Sequence, residues 1–371
     1  MKIVFSSNIS WSIYNFRRGL LNELKKDGNI IFTVALKDEF SEKLENLGFT
    51  HTNVFINNNS KNPIKDLYLI YQYYKIYKKI APDIICHNAI KPNIYGTIAA
   101  GIIGIPTINN ISGLGTLFIK KSLSTRIAKL LYRISQRKAS KIFFQNNDDL
   151  NLFLKNKLIS KDKCLLIPGS GVDTSKFFPV KKTNYQDDFK FLFVGRLLYD
   201  KGIREYIDAI KIIKSKNKNI EFQILGPIYS NNTTSISQEN LNDWLGAGLI
   251  NYLGETDDVL KYMVEADCLV LPSYREGLSK VLIEGSSVAL PIITTNVPGC
   301  KDVVIDNVTG FLCEVKNSKD LADKMVKMIN LPIEERLLMG DNGRNRAINV
   351  FDEQIIIKHY KDAIYSTFEK K

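Results

Sequence analysis

The sequence predicts an α/β protein built from two consecutive doubly wound units. Short β-branched runs alternate with longer amphipathic stretches, as in parallel sheets covered by helices. The alternation halts at a glycine- and proline-rich break and then restarts. A length of 371 residues exceeds what one hydrophobic core usually serves.

Taken in order, strands are predicted at Lys2–Phe5, Ile30–Ala35, Thr52–Ile56, Asp83–Cys86, Thr107–Asn109 and Lys141–Phe144. Helical spacing fills the gaps at Ile13–Lys26, Lys65–Lys79 and Asn93–Ile103. Pro168-Gly169-Ser170-Gly171 and the polar stretch Lys181–Asp188 mark the break. The cycle resumes with a strand at Phe189–Val194, a helix at Arg204–Lys216, and strands at Ile220–Leu225 and Leu249–Leu253. Cys268–Leu271, Ser279–Val288 and Pro291–Thr294 follow as strand, helix and strand. The division expected is 1–180, 181–350 and a terminal helix in 351–371 that packs back on the first unit. In open α/β sheets ligands sit beyond the carboxyl ends of the strands, so those loops are where chemistry is sought.

Composition narrows the function classes. No run approaches the ~20 apolar residues of a membrane-spanning helix. Met1–Phe5 passes straight into polar Ser6-Ser7-Asn8, and the five cysteines are scattered without a C-x-x-C pair. A cytoplasmic protein with reduced thiols and no structural zinc is expected. The net charge of +12 is uneven: residues 1–180 hold 26 Lys and Arg against 12 Asp and Glu, the remainder 25 against 27. The excess in one half points to an anionic partner for that half.

The segment Leu271-Pro272-Ser273-Tyr274-Arg275-Glu276-Gly277-Leu278-Ser279 ends a buried strand, turns at glycine and offers Ser279 as an N-cap. The N–H groups of such a helix start hold phosphate, and Glu276 and Glu284, eight positions apart, can accept from sugar hydroxyls. A solvated loop Glu beside an unrelated helix Glu is the plainer reading of the same residues.

Glu276-Gly277-Leu278-Ser279 with the second carboxylate at Glu284 resembles the signature of the family-four retaining glycosyltransferases, whose fold is GT-B, two Rossmann-like domains facing across a cleft. Phe193-Val194-Gly195-Arg196-Leu197 with Lys201-Gly202, Asn296–Val303 and Asn307–Leu312 resemble further elements of that family in the same order. A closer subset, bacterial enzymes that extend polyprenyl-diphosphate-linked glycans, is similar at Ile90–Gly96, Ile111–Gly115 and Ile167–Asp173. The resemblance implies that Arg196 and Lys201 neutralise the donor diphosphate, an Arg as a fork and a Lys as a point charge. It implies that Glu284 accepts from the ribose, that Glu276 contacts the sugar, and that the backbone of Gly195, Gly277, Leu278 and Ser279 lines the donor. Catalysis by Arg196, Lys201 and Glu276 is then orientation and leaving-group stabilisation with front-face retention, not a covalent carboxylate. The sequence contains no Asp-x-Asp, so no metal and no cofactor beyond the UDP-sugar substrate is expected.

The first half departs from the family pattern. The loop after the first strand, Ser6–Ser12, has no glycine, and Ser112 stands where many relatives carry a histidine. Asn8, Ser112 and Gly113 are assigned to a loop that meets acceptor or sugar, and His87 is the histidine placed to face the ligand as a further catalytic residue, a structural or capping histidine being the alternative. Lys120–Lys141 holds eight Lys and Arg and no acid, interleaved with Leu123, Ile127, Leu130, Leu131 and Ile134. Such a stripe fits a helix lying on an anionic membrane, or equally a core face with solvated cations. The expected activity is transfer of an N-acetylhexosamine from a UDP-sugar to a lipid-linked saccharide, at the inner face of the cell membrane, for surface polysaccharide or glycoprotein glycans. A GT-B sugar-nucleotide epimerase and a basic nucleic-acid-binding protein are the alternatives. The second leaves Arg196, Lys201, Glu276 and Glu284 without a role, so no nucleic-acid partner is expected.

Overall fold

A computed structural model describes residues 1–56, 62–114, 123–180, 188–215, 220–229, 232 and 234–370. The predicted break at Lys181–Asp188, apart from its last residue, lies outside the described residues, as do Gly115 and the first three residues of Lys120–Lys141. The chain forms two compact units, Met1–Gly171 with Glu353–Lys371, and Val172–Asp352. The division thus falls between Gly171 and Val172 rather than at 180, and the terminal helix belongs to the first unit.

The first unit runs β1 (Lys2–Ile9), α1 (Ser10–Lys26), β2 (Ile30–Leu36), α2 (Phe40–Asn46), β3 (Thr50–Asn53), α3 (Pro63–Ile80) and β4 (Ile84–Asn88). A π-helical turn, Pro92–Gly96, then leads into α4 (Thr97–Ile102), β5 (Thr107–Ile111), α5 (Leu123–Lys138), β6 (Lys141–Phe144), α6 (Asn147–Lys155) and β7 (Cys164–Leu166). All seven strands are parallel, in the order β3-β2-β1-β4-β5-β6-β7. Strand alternation sends Ile3, Phe5, Ile84 and Cys86 to one face and Val4 and Ile85 to the other. Both faces are covered, which is why Ile3–Phe5 and Ile84–Cys86 read as unbroken apolar runs. β3 begins and ends earlier than the predicted Thr52–Ile56. Its partners on β2 are Phe32 to Ala35, and Val54 and Ile56 are buried beyond the paired stretch.

The second unit runs β8 (Phe189–Val194), α7 (Ile203–Lys214), β9 (Ile220–Leu225), α8 (Gln238–Gly246), β10 (Asn251–Tyr252), α9 (Leu260–Glu265) and β11 (Cys268–Leu271). It continues with α10 (Lys280–Ser287), β12 (Ile292–Thr295), β13 (Gly310–Cys313), α11 (Ser318–Asn330) and α12 (Ile333–Arg346). The six parallel strands are ordered β10-β9-β8-β11-β12-β13. β10 is shorter than the predicted Leu249–Leu253, because only Asn251 and Tyr252 pair with β9.

The last helix, α13 (Glu353–Phe368), lies on α1 and buries Ile356, Ile357, Tyr360, Ala363 and Ile364 along one stripe. Lys361 holds Asp27 at 2.8 Å at its edge.

Candidate active site

In the second unit, the loops after β8, β11 and β12 are neighbours because those strands are adjacent in the sheet. Gly195 ends β8 with φ 156°, its N–H donating to the Leu225 carbonyl at 2.9 Å. Arg196 follows, exposed, with its guanidinium over the Tyr229 ring at 5.5 Å. A 3-10 turn, Tyr199–Lys201, then presents Lys201. The next residue must be glycine: Gly202 has φ 74°, and a Cβ there would lie 2.0 Å from the Pro272 carbonyl oxygen. That approach seats the Lys201 turn against the Glu276 loop.

Lys201 Nζ reaches Glu276 Oε1 at 2.5 Å, and Ser273 Oγ donates to the same oxygen at 2.7 Å. The Tyr274 N–H donates to the Asp200 carbonyl at 2.9 Å, while its hydroxyl donates to Glu205 Oε1 at 2.7 Å. From the β12 side, the Pro298 carbonyl accepts from the Glu276 N–H and the Gly299 carbonyl from the Ser279 N–H, both at 3.0 Å. The Ser279 N–H, expected to meet a ligand, is therefore already occupied. Gly277 and Ser279 are buried and Leu278 half-buried in this turn.

Ser279 is the N-cap of α10 but forms no side-chain cap bond. The first-turn N–H groups of α10 have no acceptors within the helix, which leaves a partial positive charge beside Lys201 and Glu276. One turn on, burial pushes the Glu284 carboxyl above the ordinary carboxylate range, with Lys280, 3.8 Å away, and Lys176 opposing the shift. Two cations, a helix start and two carboxylates are thus gathered in one unit: the first three suit a diphosphate, the carboxylates suit hydroxyls.

Sequence reasoning missed Ser273, Tyr274 and Glu205, which orient the Glu276 loop. Their types carry no spacing signal, since each acts through a contact made only after folding.

In the first unit the expectation for His87 is corrected. It lies within β4, 1 % exposed, with Nε2 2.9 Å from the Tyr77 hydroxyl and Nδ1 3.0 Å from Asn109 Oδ1. Burial lowers its pKa to about 4. A ring closed in on both nitrogens is a core histidine, and it meets no ligand there. Asn8 is half-buried at the end of β1, with Oδ1 buried and unpartnered. Ser112 is exposed just past β5, followed by Gly113 at φ 122°. Both strand ends are carboxyl ends of the same sheet.

On α5, Ile127, Leu130 and Ile134 are 51, 54 and 44 % exposed, while Ala128, Tyr132 and Gln136 are buried. Ile127, Leu130 and Ile134 are thus surface, while Leu131 of the same stripe packs on the core; the Leu123 side chain lies outside the described residues. Among the described residues no group of three or more His, Cys, Asp or Glu is placed to hold a metal. Nor is any helix among them long and apolar enough to cross a membrane.

Comparison with known proteins agrees with this layout. Residues 175–346 match the family described as glycosyl transferases group 1, and residues 2–146 match glycosyl transferase 4-like. The chain is 28 % identical over 378 residues, covering 97 % of each chain, to an N,N'-diacetylbacillosaminyl-diphospho-undecaprenol alpha-1,3-N-acetylgalactosaminyltransferase of Campylobacter jejuni. It is 30 % identical over 324 residues, 82 % of each chain, to the capsular polysaccharide biosynthesis glycosyltransferase CapM of Staphylococcus aureus. The crystal structure of Anabaena HepE in complex with UDP is similar in fold, with a TM-score of 0.81 at 18 % identity, covering 99 % of this chain and 100 % of that one.

Proposed function

The chain belongs to the group 1 glycosyl transferases and is a glycosyltransferase of GT-B fold, not an epimerase; from that premise we propose that it transfers an N-acetylhexosamine from a UDP-sugar to a saccharide carried on polyprenyl diphosphate. The observation that carries the donor side is the convergence of Lys201, Glu276 and the start of α10, with Glu284 one turn further. The donor diphosphate binds Arg196, Lys201 and the helix start; Glu284 accepts from the ribose and Glu276 from the transferred sugar. The leaving diphosphate is stabilised by fixed positive charge, so the reaction runs without an essential metal. Its departing oxygen helps take the acceptor proton on the same face, and configuration is retained.

The acceptor class is supported by the Campylobacter relative, whose name gives an undecaprenyl-diphosphate-linked sugar as acceptor. The carboxyl ends of β1 and β5, with Asn8, Ser112 and Gly113, are where the acceptor sugar is received. The product serves surface polysaccharide or glycoprotein glycan assembly. Ile127, Leu130 and Ile134, with Arg126, Lys129, Arg133 and Arg137 on the same helix, rest on the anionic inner face of the cell membrane.

The deciding experiment is transfer by the purified protein from a panel of UDP- and GDP-sugars in EDTA, with and without a short polyprenyl-diphosphate-sugar. Acceptor-dependent release of UDP from one donor, with an α-linked product, supports the reading. Release of sugar phosphates without any acceptor, or dependence on added metal, counts against it.

A further inference from the structure

The carboxyl end of β1 carries a feature that the donor site does not use. Trp11, in the first turn of α1, is 41 % exposed. A large aromatic ring left in water on a helix start exposes apolar area that burial would otherwise stabilise. One edge of the ring is nevertheless braced. Phe16 meets it edge-on, with centroids 5.4 Å apart and planes at 87°. Its own backbone is pinned at both polar groups: the N–H donates to Asp38 Oδ2 at 2.8 Å, and the carbonyl accepts from Asn15 Nδ2 at 3.1 Å. In the strand end just before it, Ser7 Oγ and Asn8 Oδ1 are buried without hydrogen-bond partners.

An exposed aromatic face that follows unpartnered polar groups within four residues, at the carboxyl end of a parallel strand, fits a pyranose. The C–H face of the sugar covers the ring, and its hydroxyls meet the half-buried Asn8 amide at the strand end. The indole's edge contact with Phe16 limits the side-chain freedom that binding would cost. A lipid chain needs no polar neighbours, and the carboxyl ends of strands are where doubly wound sheets take ligands. The geometry points to Trp11 as the platform for the acceptor saccharide, a specificity residue of the first unit. This rests on the reading above that the acceptor is a saccharide.

The sequence has two tryptophans, and Trp244 belongs to the second unit, packed against its core. In a Trp244→Phe background Trp11 is the sole indole emitter. Emission is followed while the methyl glycosides of GlcNAc, GalNAc, glucose and galactose are titrated onto protein saturated with UDP. A saturable shift with one of them is expected. In transfer assays, Trp11→Ala raises the acceptor KM roughly ten-fold or more, with kcat and UDP affinity unchanged, and Trp11→Phe restores most of the loss. The inference is overturned if no saccharide moves the emission, if UDP alone or phosphatidylglycerol vesicles alone move it, or if Trp11→Ala leaves the acceptor KM unchanged. Failure of the wild-type protein to glycosylate any lipid-linked saccharide defeats the acceptor reading instead, and the glycoside titration still decides the role of Trp11.

Discussion

Lys201 and Glu276 stand 75 positions apart in the chain, on loops after different strands, and meet at 2.5 Å. Without ligand, the cation assigned to the leaving diphosphate is therefore neutralised by the carboxylate assigned to the transferred sugar. Neither group is isolated: Ser273 donates to Glu276, and the α10 start lies beside them. On the proposed reading, a diphosphate arriving there competes with Glu276 for Lys201 and frees the carboxylate for hydroxyls.

Lys201→Met is expected to lower kcat by about 10²- to 10³-fold, on the order of 3–4 kcal/mol of transition-state stabilisation, with a smaller loss in UDP affinity. Glu276→Gln keeps the Ser273 contact and is expected to lower kcat less. Steady-state kinetics with calorimetric UDP binding separates the two effects. A Lys201→Met enzyme within about three-fold of wild type would remove Lys201 from the chemistry.

Glu284 is held above the ordinary carboxylate range by burial, so its charge is lost at a higher pH than usual as the solution is acidified. Ribose hydroxyls donate to the ionised form. UDP affinity should fall with decreasing pH through this raised pKa, and Glu284→Gln should flatten the profile while weakening UDP at neutral pH. The stability sign is opposite: the ionised group costs stability above its unfolded pKa, so Glu284→Gln should raise Tm. A lowered Tm would contradict the electrostatic assignment.

His87 has its pKa lowered to about 4 by burial, from an ordinary value of 6.5. The folded state favours the neutral ring, so its contribution is present above pH 6.5 and is lost as pH falls from there toward 4. The loss is on the order of 3 kcal/mol. His87→Gln should remove that pH dependence from urea unfolding curves. It should leave the kcat of the folded protein near wild type, since the ring meets no ligand.

Gly202→Ala places a Cβ 2.0 Å from the Pro272 oxygen at φ 74°. About 3 kcal/mol or more of destabilisation is expected, with transfer lost in the fraction that folds, because the Lys201 turn can no longer seat against the Glu276 loop. Denaturant unfolding gives the first quantity and active-site titration with UDP the second.

The triple change Ile127→Ser, Leu130→Ser and Ile134→Ser removes an exposed face, so Tm should stay within a few degrees of wild type. Co-sedimentation with phosphatidylglycerol vesicles should drop to the level seen with phosphatidylcholine. Undiminished sedimentation places membrane contact elsewhere.

The sequence by itself determined the two alternating units and most strand positions, and it placed the proposed donor residues in the loops after strands. Apolar runs such as Phe191–Val194 and Cys268–Leu271 fit buried strands, and Gly195-Arg196, Lys201-Gly202 and Glu276–Ser279 fall in the loops that follow them. Local pattern carries that much because strand burial and tight turns are written in neighbouring residues. Tertiary structure alone decided the rest. His87 has the chemistry of a ligand-facing base, but only packing beneath Tyr77 and Asn109 makes it core. The apolar stripe of α5 reads as core or as surface until Ile127, Leu130 and Ile134 are seen exposed and Leu131 packed on the core. The pairing of Lys201 with Glu276, and the Tyr274–Glu205 contact that supports it, join positions scores of residues apart. Such contacts depend on which strands become neighbours in the sheet, and that order is fixed by the packing of both helical layers together rather than by any one segment.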